Sequence, residues 1–316
     1  MGVCKMNLES YKKLVMLAGV ASVSTAALCV LIKLIVWMMS SSSSIFASLT
    51  DSIFDSMASV VNLLALRYSV TPADKEHRFG HFKAQSLASL AQAAFIGGSA
   101  VLLIAHGIER FMHPQMVQHV ESAIIVSLVT MAVTLLLIIF QSYVYKRTQS
   151  EAIAADRFHF ASDILLNSGV IVALFLSFKG MLWADGMFAA VIGLLILKGA
   201  VQIGTKAVNT LLDRSLPLNE IQNIRQTIIG VKGVRSIHDL KTRRAGPQTY
   251  IQGHLVIDGT VSLFEAHGIA SRAEESLEKI YPEADISLHM EPDSRETLEG
   301  VKFEVESLAE EKKISS

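Results

Sequence analysis

Six apolar runs lie near residues 14–39, 45–68, 84–111, 121–145, 152–178 and 182–202. Each is long enough to cross a bilayer as a helix, which takes about 20 apolar residues. The fifth run is interrupted by Asp156, Arg157, His159 and Asp163, which weakens its signal in a hydropathy window. From about residue 215 the pattern changes. Ser215-Leu-Pro217 breaks the continuation of the sixth helix. Residues 219–229 have the period of an amphipathic helix. Residues 234–243 and 249–258 alternate as strands around a turn at Gly246-Pro247, residues 263–280 read as a helix, and 284–291 as a strand.

The order αββαβ suits a small α+β domain with helices on one face of a sheet, in a ferredoxin-like or metallochaperone-like arrangement. The expected fold is thus a membrane all-α six-helix transmembrane domain followed by that small α+β domain.

Basic residues orient the spans. Lys12 and Lys13 precede the first run, and Arg67, Lys75, Arg78 and Lys83 follow the second. Lys146 and Arg147 follow the fourth, and Lys206 and Arg214 follow the sixth. The alternate links are poor in base: Ser40 to Ser44 has none, the next has mainly Arg110, and the last has Lys179. Both termini are therefore expected in the cytoplasm. The expected division is a cytoplasmic segment 1–13, a transmembrane domain 14–212, a cytoplasmic α+β domain 213–293 and a charged, poorly ordered tail 294–316. The first run is expected as a retained helix, because no small-residue cleavage site follows it.

Composition agrees with a polytopic membrane protein: 51% of the 316 residues are hydrophobic and 18% charged, with mean hydropathy +0.43. The net charge of −1 gives no nucleic-acid signal. Cys4 and Cys29 are far apart and suggest neither a disulfide framework nor a cysteine-based metal site.

The chemistry concentrates in two ionisable pairs inside apolar runs: Asp51 with Asp55, and His159 with Asp163. Each pair is spaced i, i+4, so a helix puts both side chains on one face. Ionisable groups in a span cost roughly 2.5–3.5 kcal/mol each on insertion scales, which makes a functional role the default. At 1.5 Å per residue, Asp51 and Asp55 fall ~9 and ~15 Å below the outer surface, and His159 and Asp163 ~10 and ~16 Å above the inner one. The pairs overlap near the middle of a core ~30 Å thick. Three carboxylates and an imidazole form a plausible four-ligand set for Zn²⁺. A purely structural network would more naturally use Ser, Thr, Asn or Gln. A metal-free proton relay is the stronger rival. The two functions are compatible, since ligands must shed protons to bind metal. A closed tetrahedral set favours Zn²⁺ or Cd²⁺, while its oxygen donors leave Fe²⁺, Co²⁺ or Mn²⁺ open.

A second cluster, Asp74, His77 and His81, lies in the link between the second and third runs. Spacing alone leaves a metal site and a solvated charged loop level. A third set is spread through the α+β region: His238, His254, His267, His289 and Glu291. His289 and Glu291 are i, i+2 on a strand and share a face, but from spacing alone ordinary surface histidines are the stronger reading. His106, His113 and His119 gather near the outer end of the third run, without a firm role. Lys33 and Lys198, inside apolar runs, are expected to snorkel or pair. The twelve methionines are expected to be core filler.

With these residues in view, the sequence resembles the cation diffusion facilitator family from about residue 10 to 293. The motifs that carry the resemblance are Asp51-Ser-x-x-Asp55, the segment from Pro72-Ala-Asp74 through His77-x-Phe-Gly-His81 to Lys83, and His159-x-x-x-Asp163. Leu211-Leu-Asp213-Arg and His238-Asp-Leu-x-Thr-Arg also match. The resemblance implies a homodimer in a bacterial inner membrane that exports Zn²⁺ and related ions, Cd²⁺ and Fe²⁺ among them, in exchange for protons. It implies no organic cofactor, no enzymatic activity and no nucleic-acid partner.

Asp51, Asp55, His159 and Asp163 fall on the family's transport site, and Asp74, His77 and His81 on its membrane–domain interface site. His238, His254, His267, His289 and Glu291 fall on its binuclear cytoplasmic site, whose metals help hold the paired soluble domains together. Lys83 and Asp213 fall on an interlock at the membrane–domain junction. The chain departs from the family where relatives carry His-x-Asp-Pro and it has His289-Met-Glu291-Pro, one methylene longer. Phe158 stands where an aliphatic residue is frequent. The alternatives to an exporter are a membrane metalloenzyme, which would need an open coordination position and a nearby base, and a membrane-anchored metal sensor.

Overall fold

The computed structural model describes residues 7–40, 43–113, 121–178, 181 and 183–294. Cys4, Lys5, Ser41, Ser42, His119, Lys179 and the tail from residue 295 lie outside the described residues. Six long helices come first: α1 Leu8–Ser40, α2 Ser43–Ser69, α3 Ala84–Met112, α4 Glu121–Thr148, α5 Glu151–Phe178 and α6 Ala184–Leu211. There follow α7 Leu218–Ile229, β1 Val234–Ala245, β2 Gln248–Ile257, α8 Leu263–Glu278 and β3 Ala284–Pro292. The chain divides into two compact units, Met1–Leu211 and Leu212–Ser316.

In the helical unit, α1, α2, α3, α4 and α6 are each long and apolar enough to cross a membrane. α5 does not meet that test among the described residues, as its interrupted apolar run leads one to expect. It is nevertheless a continuous 28-residue helix, packed against α3, α4 and α6. α3 and α6 approach closely through glycine: a β-carbon on Gly107 would lie 2.6 Å from the Ala190 nitrogen, and one on Gly186 would run into the Phe111 nitrogen and the Gly107 carbonyl. Small residues that let backbones meet are a common device between membrane helices.

The greatest boundary difference is at α6, which continues from the expected end at 202 to Leu211. Its last turns carry Gln202, Gly204, Thr205 and Lys206, which end the apolar run but not the helix. Near that end, Lys83 Nζ donates to the Leu211 carbonyl at 3.3 Å. Asp213 then takes a positive φ of 57°, and Pro217 stands at the N-cap of α7.

The second unit has the expected αββαβ order. Its sheet runs β1-β2-β3, with β1 antiparallel to β2 and β2 parallel to β3. The parallel pair needs a crossover, which α8 supplies. A capping box between Ser262 and Glu265 starts α8. Ile224 and Ile228 of α7, Ala273 and Leu277 of α8, and Ile237, Ile251 and Leu255 of the sheet form one buried core. The β1–β2 turn uses Gly246 at φ 57°, a conformation that favours glycine.

Candidate metal sites

The helical unit brings α2 and α5 together at the ionisable pairs. His159 Nε2 lies 3.1 Å from Asp55 Oδ1 and 3.9 Å from Asp163 Oδ2. One ligand atom from each of the three residues falls within 4.8 Å of the others. Ligands about 2.0–2.2 Å from a tetrahedral ion stand roughly 3.3–3.6 Å apart, so little movement would close this set around one. His159 is 6% exposed, and its Nε2 has no hydrogen bond of good geometry among the described residues, the 3.1 Å approach notwithstanding. Buried polar atoms rarely stay unpartnered, and a bound cation would supply the partner. Asp51 is outside this close group but lines the same cavity of about 600 Å³, together with Lys33, Asp55, His159 and Asp163.

Two further charged groups support this site through partners that carry no signal in the sequence. Asp156, one turn before His159 on α5, is fully buried. It accepts hydrogen bonds from Gln141 Nε2 of α4 at 2.6 Å and from Gln92 Nε2 of α3 at 3.4 Å. The charge of Asp156 was visible in its apolar run, but neutral Gln92 and Gln141 left no signal. Lys33 of α1 donates to the Ser48 carbonyl at 3.1 Å and to Ser52 Oγ at 2.7 Å, so it pairs with α2. His106 also lines the cavity, with Nδ1 3.8 Å from Glu109 Oε2. His113 caps the end of α3.

The α2–α3 link gathers Asp74, His77 and His81 into a second group with ligand atoms within 4.8 Å. Asp74 Oδ1 accepts from the backbone N–H of His77 at 2.6 Å and of Glu76 at 2.9 Å, which pins the carboxylate. Those bonds, the His77 N–H first, hold the Asp74 carboxyl below the usual carboxylate range. The side chain reaches His77 Nδ1 at 3.4 Å and His81 Nε2 at 3.3 Å. Gly80, at φ 78°, makes the turn that delivers the imidazole of His81. That ring is buried, and neither of its nitrogens has a hydrogen-bond partner among the described residues.

In the α+β unit, sheet register builds the third group. His238 pairs with His254 across β1 and β2, and His254 with His289 across β2 and β3, so the three imidazoles stand in one row. Adjacent rings in the row have centroids 5.2 Å apart. Glu291 spans two of them: Oε2 is 2.9 Å from His238 Nε2 and Oε1 2.7 Å from His254 Nδ1. Burial pushes the Glu291 carboxyl up, but its bonds to His238 and His254 together outweigh that and leave it below the usual range. His238, His254 and Glu291 have ligand atoms within 4.8 Å. His289 is exposed beside them, and the structure leaves His267 exposed on α8, outside the group. Asp213 pairs with Arg243 at 3.2 Å within this unit.

Long apolar helices bearing an internal ionisable cluster, joined to a separate α+β unit, define a multi-pass membrane protein with several groups of side chains that could hold a metal ion. The chain belongs to the cation efflux family: its residues 19–212 match the cation efflux transmembrane domain, and residues 216–293 match the cytoplasmic domain of cation efflux proteins. It is 46% identical over 282 residues to the cation-efflux pump FieF of Pectobacterium atrosepticum, covering 89% of this chain and 94% of that one. The FieF pump of Klebsiella pneumoniae is 43% identical over 286 residues, covering 90% and 95%. That of Escherichia fergusonii is 42% identical over 297 residues, covering 94% and 99%.

Proposed function

We propose that this protein is a divalent-metal exporter that moves Zn²⁺, and with it Cd²⁺ and Fe²⁺, out of the cytoplasm in exchange for protons. The observation that carries this reading is the Asp55–His159–Asp163 group, held between α2 and α5 among helices built to span a membrane. In this reading Asp51, at the wall of the same cavity, completes a four-ligand set as the ion settles. Metal arriving from the cytoplasm displaces protons from His159 and the carboxylates, and protons returning from the other side help to expel it. Alternating access then requires α2 and α5 to carry the site between two openings.

The protein works as a homodimer in a bacterial inner membrane, with both termini and the α+β unit in the cytoplasm. Asp74, His77 and His81 hold a second ion beneath the spans. In the α+β unit, the two imidazoles and the carboxylate of His238, His254 and Glu291 suit a resident divalent ion, with His289 and His267 completing the set in the paired domains. A metal there supplies cross-linking charge, not transport. The protein is accordingly a transporter and not an enzyme.

Zn²⁺ uptake into sealed proteoliposomes with an imposed pH gradient tests the reading. Flux that follows the gradient and stops when it is collapsed is the expected result. Tight Zn²⁺ binding without any movement across the bilayer would overturn it in favour of a membrane-anchored sensor.

A further inference from the structure

Lys33 is the one lysine among the described residues lining the cavity that holds the three intramembrane carboxylates. It is half-buried, and its ammonium is hydrogen-bonded to α2. Nζ donates to the Ser48 carbonyl and to Ser52 Oγ. Those residues are one helical turn apart and interleave in sequence with Asp51 and Asp55. The positive charge is therefore clamped to the helix that carries two of the carboxylates.

Ionised Asp51, Asp55 and Asp163 contribute three negative charges. A divalent ion on neutral His159 leaves one of them uncompensated. Among the groups that line the cavity, a lysine at the wall brings the loaded set to neutrality, and in a low-dielectric setting one unmatched charge weighs heavily.

We propose that Lys33 is the fixed counter-charge of the transport cavity, weakening its hold on a divalent ion enough for the ion to leave. This rests on the transport reading of the cavity. Without Lys33, the loaded site keeps a net negative charge, binds the ion more tightly and turns over more slowly.

A mere strut between α1 and α2 would need only the hydrogen bonds. Lys33→Gln keeps a donor without the charge, Lys33→Arg keeps the charge, and Lys33→Met removes both. The full-length protein in proteoliposomes would be measured for Zn²⁺ flux, and for the component of Zn²⁺ binding that Asp163→Ala removes. The expected result is binding at least about tenfold tighter in Lys33→Gln and Lys33→Met with slowed flux, and near-normal behaviour in Lys33→Arg. Unchanged affinity in Lys33→Gln, with only Lys33→Met impaired, would overturn the counter-charge and leave a strut. Wild-type protein that binds Zn²⁺ but does not transport it would sink the transport reading, while the same affinity series would still decide the charge of Lys33.

Discussion

The helical and α+β units both bring histidine and carboxylate together, but by different means. In the helical unit the candidate ligands come in i, i+4 pairs, one pair to a helix, and only the packing of α2 on α5 brings them together. In the α+β unit the imidazoles of His238, His254 and His289 stand in one cross-strand row, set by hydrogen-bond register, and Glu291 reaches two of them from β3. A register cannot slip by one residue without turning every side chain over, so that site is as rigid as its sheet. Two helices can slide or rock while each keeps its own pair intact. In the proposed reading, this difference suits the first group to release an ion and the second to retain one.

The largest expected effect falls on the site between helices. His159→Ala should reduce Zn²⁺ flux to background, at least a hundredfold, while the protein stays folded by circular dichroism and size exclusion. Flux within a fewfold of wild type would remove His159 from the pathway. Next comes the packing that holds the helices. A β-carbon at Gly186 runs into backbone atoms of α3 that have no side chain to swing away. Gly186→Ala should therefore cost about 1–3 kcal/mol, read as a lower unfolding midpoint in detergent. An unchanged midpoint would mean that α3 and α6 do not rely on this approach.

Glu291→Gln should affect the other side of the comparison. It removes the carboxylate that spans His238 and His254, and metal binding by the isolated residues 212–294 should weaken by about ten- to a hundredfold. Zn²⁺ flux in the full-length variant should fall no more than a fewfold. A collapse of flux would mean that the sheet site takes part in turnover.

The smallest effect is a pH dependence of the α+β unit. Glu291 is held below its usual pKa. Asp258 is lowered to about 2 by bonds from the Thr260 hydroxyl and N–H and from Arg235. Groups whose folded pKa is depressed stabilise the fold above their unfolded pKa and lose that contribution as pH falls through the folded value. The unfolding midpoint of the metal-free unit should be level above about pH 5 and decline from about pH 4 toward 2. A decline that began well above pH 5 would contradict this assignment.

Much of this architecture was legible because its signals are local. Apolar length marked the helices, alternation marked β1 and β2, and the i, i+4 carboxylate and histidine pairs stood out against an apolar background. What stayed hidden was cross-element pairing between groups that carry no anomaly of their own. Gln92 and Gln141 are unremarkable until α3, α4 and α5 close around Asp156. Ser48 and Ser52 acquire a role only once α1 sets Lys33 beside them. Spacing also could not separate Asp51 from the closer group of Asp55, His159 and Asp163, since an i, i+4 pair fixes a face and not a distance to the partner helix. Nor could it tell that His267 stands exposed on α8 while His238 and His254 meet Glu291.

The most direct test is a three-way comparison of pH-driven Zn²⁺ flux in proteoliposomes: wild type, Asp163→Ala and His238→Ala, each verified as folded and reconstituted to equal density. Flux should be lost in Asp163→Ala and largely kept in His238→Ala. Flux kept in Asp163→Ala and lost in His238→Ala would contradict the transport reading, because the ion would then be moving through the sheet site and not between the helices.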